Sequence, residues 1–419
     1  MSFPNTSPKK ARLGSKDLYE QIHEDALMII ESLGVKASEK TAAKIIAALD
    51  PDRASALLYF KDAGRFYVSR DTVRMAIEQI QAGYDYWPKG CGTGGMAAYL
   101  VEGGQPRTAT LDDIRRLAEL VKKNDELTAI YSSVNPCSRI RRSDTARIIE
   151  TECGIIDIMV KTLDDKFVNP TLRTKEAITH LAEYYHKGHK VAAALSLIST
   201  FLTISDEMVD PFIWVVQSGL PHLMNAMPIA GLTGPYTLTS LATYAQAEAL
   251  FALTLAQLIK PGIKIINGAM PTIADVGQRD MPLRFGSRSN TLVNILLAEL
   301  NTYLGLPTCQ SACGHSRATL DDQARQESMN TYRLAKKYAF HQVRHLFGFA
   351  AQLNDFSLEA LEEEILLYRQ VRDEHQDFED LPPAVYDEEG LEAITEGVTR
   401  SDFRNLDHTL KNLGHTFQD

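Results

Sequence analysis

Ala192-Ala-Ala-Leu-Ser-Leu-Ile-Ser-Thr-Phe201, then residues 206–218, then Leu223-Met-Asn-Ala-Met-Pro-Ile229, residues 237–259 and Ile263-Lys-Ile-Ile-Asn267 form the stretch that decides the fold. Three short apolar runs of strand length alternate with two longer runs of helical spacing. Strands separated by helices pair in parallel through right-handed crossovers. The alternation continues on both sides. Upstream it predicts helix at 110–123, strand at 129–132, helix at 143–160, strand at 166–168 and helix at 174–186. Downstream it predicts helix at 289–304, strand at 308–312, helix at 320–341, strand at 346–349 and helix at 357–373. About seven or eight such units over roughly 270 residues predict an α/β protein built on a (β/α)8 TIM barrel. No G-x-G-x-x-G follows a strand, which counts against a dinucleotide fold.

The barrel is expected to occupy residues 109–375. Residues 1–15 read as a flexible tail. Residues 16–108 read as a helical N-terminal appendage: Leu18, Ile22, Ala26, Ile29 and Ile30 recur at helical spacing and stop at Gly34, and Ser38 caps a second helix. Its glycine-rich end, 86–108, reads as turns around a short hairpin containing Ala98-Tyr-Leu-Val101. Residues 376–419, broken by Pro382-Pro383, are expected to wrap the outside of the barrel.

The chain has 419 residues, 44 basic and 54 acidic, for a formal charge of −10. This balance, without a basic cluster, argues against nucleic acid or an anionic membrane as partner. The longest apolar run, 236–259, is interrupted by Gln246, Glu248 and Gln257 and is not a bilayer span. The polar N-terminus lacks the apolar core of a signal peptide, and five irregularly spaced cysteines make no disulfide framework. A cytoplasmic protein is expected.

In such a barrel the chemistry sits on the loops that follow the strands. These loops include Val134-Asn-Pro136, Val168-Asn-Pro170, Ser199-Thr-Phe201, 230–237, Asn267-Gly-Ala-Met270, Cys313-Gly-His-Ser316 and Gln352-Leu-Asn-Asp355. They are rich in Asn, Gly, Ser, Thr and aromatic residues and poor in Lys and Arg. Such loops suit a ligand held by carbonyls, amides and ring faces rather than a phosphate. Gly231, Gly234 and Pro235 force a tight path that sets Tyr236 beside a helix N-terminus able to receive a carboxylate. A plain strand-to-helix turn fits the same spacing. Cys309, Cys313 and His315 share one side of a strand at period two. They read as a zinc site for thiol activation or as two core cysteines and a pocket histidine. C-x3-C-x-H is not a standard ligand spacing, so no metal site is expected. His180, His186 and His189 do not share a helix face, and Glu359 with Glu362, Glu363 and Glu364 reads as a solvated helix face. No G-x-S-x-G marks a hydrolase.

Several motifs recur in an order that resembles the trimethylamine methyltransferase family. They are Ala230-Gly-Leu-Thr-Gly-Pro-Tyr-Thr-Leu238, Gln246-Ala-Glu-Ala-Leu250, Ala256-Gln-Leu-Ile-Lys-Pro-Gly262, Leu304-Gly-Leu-Pro307, Asp322-Gln-Ala-Arg-Gln-Glu327 and Phe347-Gly-Phe-Ala350. Ile22-His-Glu-Asp-Ala-Leu27 and Arg107-Thr-Ala-Thr-Leu-Asp-Asp113 are similar to the family's N-terminal elements. The resemblance implies a barrel enzyme that moves a methyl group from a methylated amine to the cobalt of a separate corrinoid protein. The chain has no pyrrolysine, so it is similar to the non-pyrrolysine branch, whose donors are quaternary amines such as glycine betaine.

The resemblance further implies no tightly bound cofactor, the corrinoid (as methylcobalamin after transfer) being carried by a cognate partner protein, and no D-x-H-x-x-G corrinoid motif occurs here. A homo-oligomer is expected. A quaternary nitrogen is recognised by ring faces, and Tyr99, Tyr131, Phe201, Tyr236 and Phe349 are the candidates. His315 and Gln323 are the expected catalytic residues. Together with Asn267 and the N–H groups near Thr233, they are also candidate anchors for a substrate carboxylate. The chain departs from the family at Arg317-Ala-Thr319 and Arg288-Ser289, and its His-Thr-Leu410 end stops sooner. A zinc-dependent thiol methyltransferase and a non-enzymatic quaternary-amine binding protein are the alternatives.

Overall fold

The computed structural model describes residues 11–338, 340–374 and 381–413. The expectations for residues 1–10, 376–380 and 414–419 therefore lie outside the described residues. Three helices open the chain: α1 (Lys16–Ser32), α2 (Glu39–Ala48) and α3 (Arg70–Gln81). Ser15, Ser38 and Ser69 cap them by accepting from backbone N–H groups of their first turns.

Eight parallel strands follow: β1 (Gly90–Gly92), β2 (Leu127–Tyr131), β3 (Phe167–Asn169), β4 (Ala193–Leu195), β5 (His222–Met224), β6 (Ile265–Asn267), β7 (Cys309–Ser311) and β8 (Gln342–Arg344). Strand β8 pairs with β1, β1 with β2 and β2 with β3. Strand β4 pairs with β5, β5 with β6 and β7 with β8. Single parallel bridges close the remaining seams, Val168 to Val191 and Thr171 to Ala194 between β3 and β4, and Asn267 to Thr308 between β6 and β7. The ring is thus a closed (β/α)8 barrel. A helix follows each strand: α4 (Leu111–Lys123), α5 (Thr145–Thr162), α6 (Lys175–His186), α7 (Val209–Ser218), α8 (Leu238–Ile259), α9 (Arg288–Tyr303), α10 (Asp322–Lys337) and α11 (Leu358–Asp373).

Two barrel strands fall away from their expected places. Strand β1 is Gly-Cys-Gly, inside the stretch 16–108 assigned to the appendage, and it carries no apolar alternation to betray it. Strand β8 is Gln342-Val-Arg344, whereas the pattern predicted helix to 341 and strand at 346–349. Its two inward residues are polar because they line the barrel interior. The long run 192–201 also divides. Its first part is β4, and Ile198–Ser199 with Thr203–Ile204 forms an outward hairpin that pairs through Lys36 with the N-terminal sheet.

That antiparallel sheet (Val35–Lys36, Arg65–Val68, Leu57–Phe60) and α1 to α3 form a layer outside the barrel. Helices α1 and α3 pack on α8, as does α12 (Gly390–Arg400), so α8 is buried along nearly its whole length. Leu13, expected in a flexible tail, is buried, and its N–H donates to Glu299. The C-terminal segment is tied down at Asp387, whose Oδ2 accepts from Thr237 (2.6 Å), Ser240 (2.5 Å) and His408 (2.8 Å).

Candidate active site at the barrel mouth

Side chains along a strand alternate between the two faces, and this parity separates lumen from wall. Ala129, Tyr131, Phe167, Ala192, Ala194, Leu223, Ile266 and Cys309 form one apolar cluster inside the ring, plugged by Trp87 from the turn before β1. The next inward residues toward the C-terminal mouth are polar or carry no side chain: Asn169 on β3, Asn225 after β5, Gly268 after β6, Ser311 on β7 and Arg344 on β8.

This layer is built by close contacts. The Tyr131 hydroxyl donates to Gln342 Oε1 at 2.9 Å and lies 3.4 Å from Cys309 Sγ. A Cβ at position 92 would collide with the Tyr131 ring, so the glycine of β1 is what lets that ring lie in the lumen. Arg344 Nη2 donates to the Gly268 carbonyl at 2.7 Å. His345 Nδ1 lies 3.0 Å from Ser311 Oγ, and its Nε2 lies 2.7 Å from the Gly95 carbonyl oxygen.

Hydrogen-bonding capacity is left over here. Among the described residues neither amide atom of Asn169 meets a partner, nor do Asn225 Oδ1, Gln342 Nε2 or Arg344 Nε. Buried polar groups are ordinarily satisfied, so open ones at the end of a barrel where ligands bind make this layer the candidate ligand site.

Electrostatically the lumen holds neutral groups around one guanidinium. Burial, reinforced by Arg344, lowers the His345 pKa to about 3. Burial also raises the Cys309 and Cys313 thiols, which stay protonated at neutral pH. Among the described residues no three His, Cys, Asp or Glu side chains converge as a metal site, and no helix is long and apolar enough to cross a membrane.

The sequence pattern of the trimethylamine methyltransferase (MTTB) family matches residues 3–419. The chain belongs to that family. Among curated relatives, glycine betaine methyltransferase of Desulfitobacterium hafniense is 22% identical over 81% of this chain and 72% of its own length. Proline betaine:corrinoid methyltransferase of Eubacterium limosum is 21% identical over 83% of this chain and 74% of its own. The solved monomethylamine methyltransferase of Methanosarcina barkeri is 10% identical and superposes with a TM-score of 0.50 over 98% of this chain and 92% of the other, which supports the barrel fold.

In this family member the structure disperses the residues singled out from sequence. Tyr131 is in the lumen. Phe349 is buried on the loop after β8, where its ring meets His345 at 5.1 Å between centroids and packs on Phe356. Tyr99 is half-buried on the hairpin after β1, next to the loop that follows β8. Tyr236 is buried in the cluster between α8, α9 and the loop before α8. Phe201 stacks on Phe403 of the C-terminal segment at 6.1 Å, far along the outward hairpin from the lumen.

The expected anchors are already engaged. Asn267 faces the helices, where its amide joins Gln246 and Asn301 at 3.2 and 3.0 Å. The Thr233 N–H donates to Ile229 O within its own turn, and its hydroxyl accepts from Ile229 N. His315 Nδ1 accepts from Arg317 N, and burial lowers its pKa to about 4. Its Nε2 lies 3.9 Å from Glu364, which is buried rather than on a solvated face. Gln323 is exposed on the first turn of α10, accepts from Arg317, and lines a cleft of about 770 Å³ between that helix and the 275–288 loop.

Asn169, Asn225, Gln342 and Arg344 were not singled out from sequence. Asn169 stands in the Val-Asn-Pro loop, so position alone could have marked it, whereas Asn225 lies inside the run 223–229 read as strand, which the structure ends at Met224. Gln342 and Arg344 carried no such signal, since the pattern put a turn there, between helix to 341 and strand from 346.

Proposed function

We propose that the protein transfers a methyl group from a quaternary amine to the Co(I) centre of a corrinoid carried by a separate protein. Its family and the names of its curated relatives support the reaction class. The observation that carries it is the polar layer at the C-terminal mouth, with the open amide atoms Asn225 Oδ1 and Gln342 Nε2 beside Asn169.

The chemistry fits this lumen. Co(I) attacks the methyl carbon as the C–N bond breaks. The bonding pair returns to nitrogen, a neutral tertiary amine leaves, and the cobalt becomes methyl-Co(III). The leaving amine needs no proton, so neutral His345 and protonated thiols suffice. The barrel contributes orientation and exclusion of water.

The test is optical. The protein is mixed with Co(I) cobalamin, or with the reduced corrinoid protein, and a panel of quaternary amines, and the absorption of methyl-Co(III) is followed. Methylation dependent on protein and on a quaternary amine is expected. No transfer from any panel member, with an active corrinoid partner supplied, overturns the reading.

A further inference from the structure

We infer that Arg344 is the specificity-determining residue of this barrel, the guanidinium that anchors the carboxylate of a betaine-type donor. The inference rests on the transfer reading above and narrows it.

Arg344 is 2% exposed and points inward from the end of β8. Its Nη2 donates to the Gly268 carbonyl, and among the described residues its Nε meets no partner. Among the described residues no carboxylate forms an ion pair with it. The titratable groups around it are the thiols of Cys309 and Cys313, the Tyr131 phenol and the His345 imidazole, all neutral near pH 7. A buried guanidinium without a counter-charge is strongly unfavourable. A lumen that keeps one is matched to a ligand that brings the negative charge. Guanidinium is also the group whose planar fork fits a carboxylate in two parallel hydrogen bonds.

Its surroundings supply more donors and few competitors. Gln342, two residues earlier on the same face, has an open Nε2 group among the described residues. Of the other groups a carboxylate could have sought, the Asn267 amide N–H and the Thr233 N–H are committed within the protein. The sign of the charge also sets the pose. Arg344 attracts the carboxylate and repels the ammonium, so the N-methyl groups are turned away from it and toward the open mouth, where a docked corrinoid approaches. A bare cation such as choline would meet the guanidinium unscreened.

The experiment compares matched pairs by calorimetry: glycine betaine, proline betaine and carnitine, each against its own carboxamide, with choline as a further cation. In the wild type at least one acid is expected to bind ~10-fold or more tighter than its amide, the range of a charged hydrogen-bonded pair. Arg344→Gln is expected to abolish that preference and Arg344→Lys to keep part of it, with circular dichroism spectra unchanged. A wild type that binds the amides or choline as well as the acids, or binds none of the seven, overturns the inference. So does an Arg344→Gln protein that keeps the preference. Should that variant not fold, the wild-type pairs alone decide. Arg344-dependent preference without methyl transfer sinks the transfer reading and leaves the anchor standing. Transfer that proceeds equally from acid and amide does the reverse.

Discussion

The phenol of Tyr131 on the second barrel strand donates to the Gln342 amide oxygen on the eighth at 2.9 Å, over a first strand whose Gly92 leaves room for the ring. The contact ties the two strands that flank β1 and sets the shape of the lumen beneath the open amides.

Tyr131→Phe therefore removes one buried donor and leaves Gln342 Oε1 without a partner. A stability loss of about 1–2 kcal/mol is expected, read by urea denaturation. Methyl transfer is expected to fall by more than binding, since the lumen loses its fixed shape but keeps the ring.

Tyr236→Ala separates pocket from core. The ring is buried in the α8–α9 cluster, so truncation is expected to destabilise by about 3–5 kcal/mol. The affinity of the protein that remains folded should be unchanged. A stable variant with weakened ligand affinity would return Tyr236 to the binding site.

Asn267→Ala tests the same distinction for an amide. It removes a member of the Gln246–Asn301 network on the outer face of β6, and buried groups left unsatisfied cost about 1–3 kcal/mol each. Melting temperature should drop while substrate affinity holds. Selective loss of affinity would show that the amide reaches the ligand.

Glu364 gives a pH signature. Burial raises its pKa from 4.5 to about 7, against hydrogen bonds from Ser328 and the Gly348 N–H. Because the folded value lies above the unfolded one, its contribution is fully present below pH 4.5. It is lost as pH rises through about 7, where the folded carboxyl ionises. The swing is about 3 kcal/mol. Stability of Glu364→Gln relative to wild type, measured by denaturation across that window, should improve by this amount from acid to alkaline pH. A flat difference would mean that the carboxyl ionises normally.

The motifs that made the family legible prove to be largely architectural. Gln246 of Gln-Ala-Glu-Ala-Leu250 holds Asn267 and Asn301, and Gly231 and Gly234 shape the turn that packs Tyr236. Such residues recur in readable patterns because helix spacing and turn geometry constrain neighbours in sequence. The lumen draws one or two residues from each of several strands separated by tens of residues, so no local pattern contains it.

By itself the sequence determined the alternation of strand and helix, hence a parallel barrel, and enough ordered motifs to point to the family, because periodicity and turn chemistry are local. Only the tertiary structure decided which residues face the lumen. Strand β1 is too rich in glycine, and β8 too polar, to show strand periodicity, and inward direction exists only once the ring closes. Closure turned Asn267 outward to the helices, covered Phe201 with Phe403, buried Glu364 behind the β7 loop, and left Arg344 in the barrel with its charge unmatched.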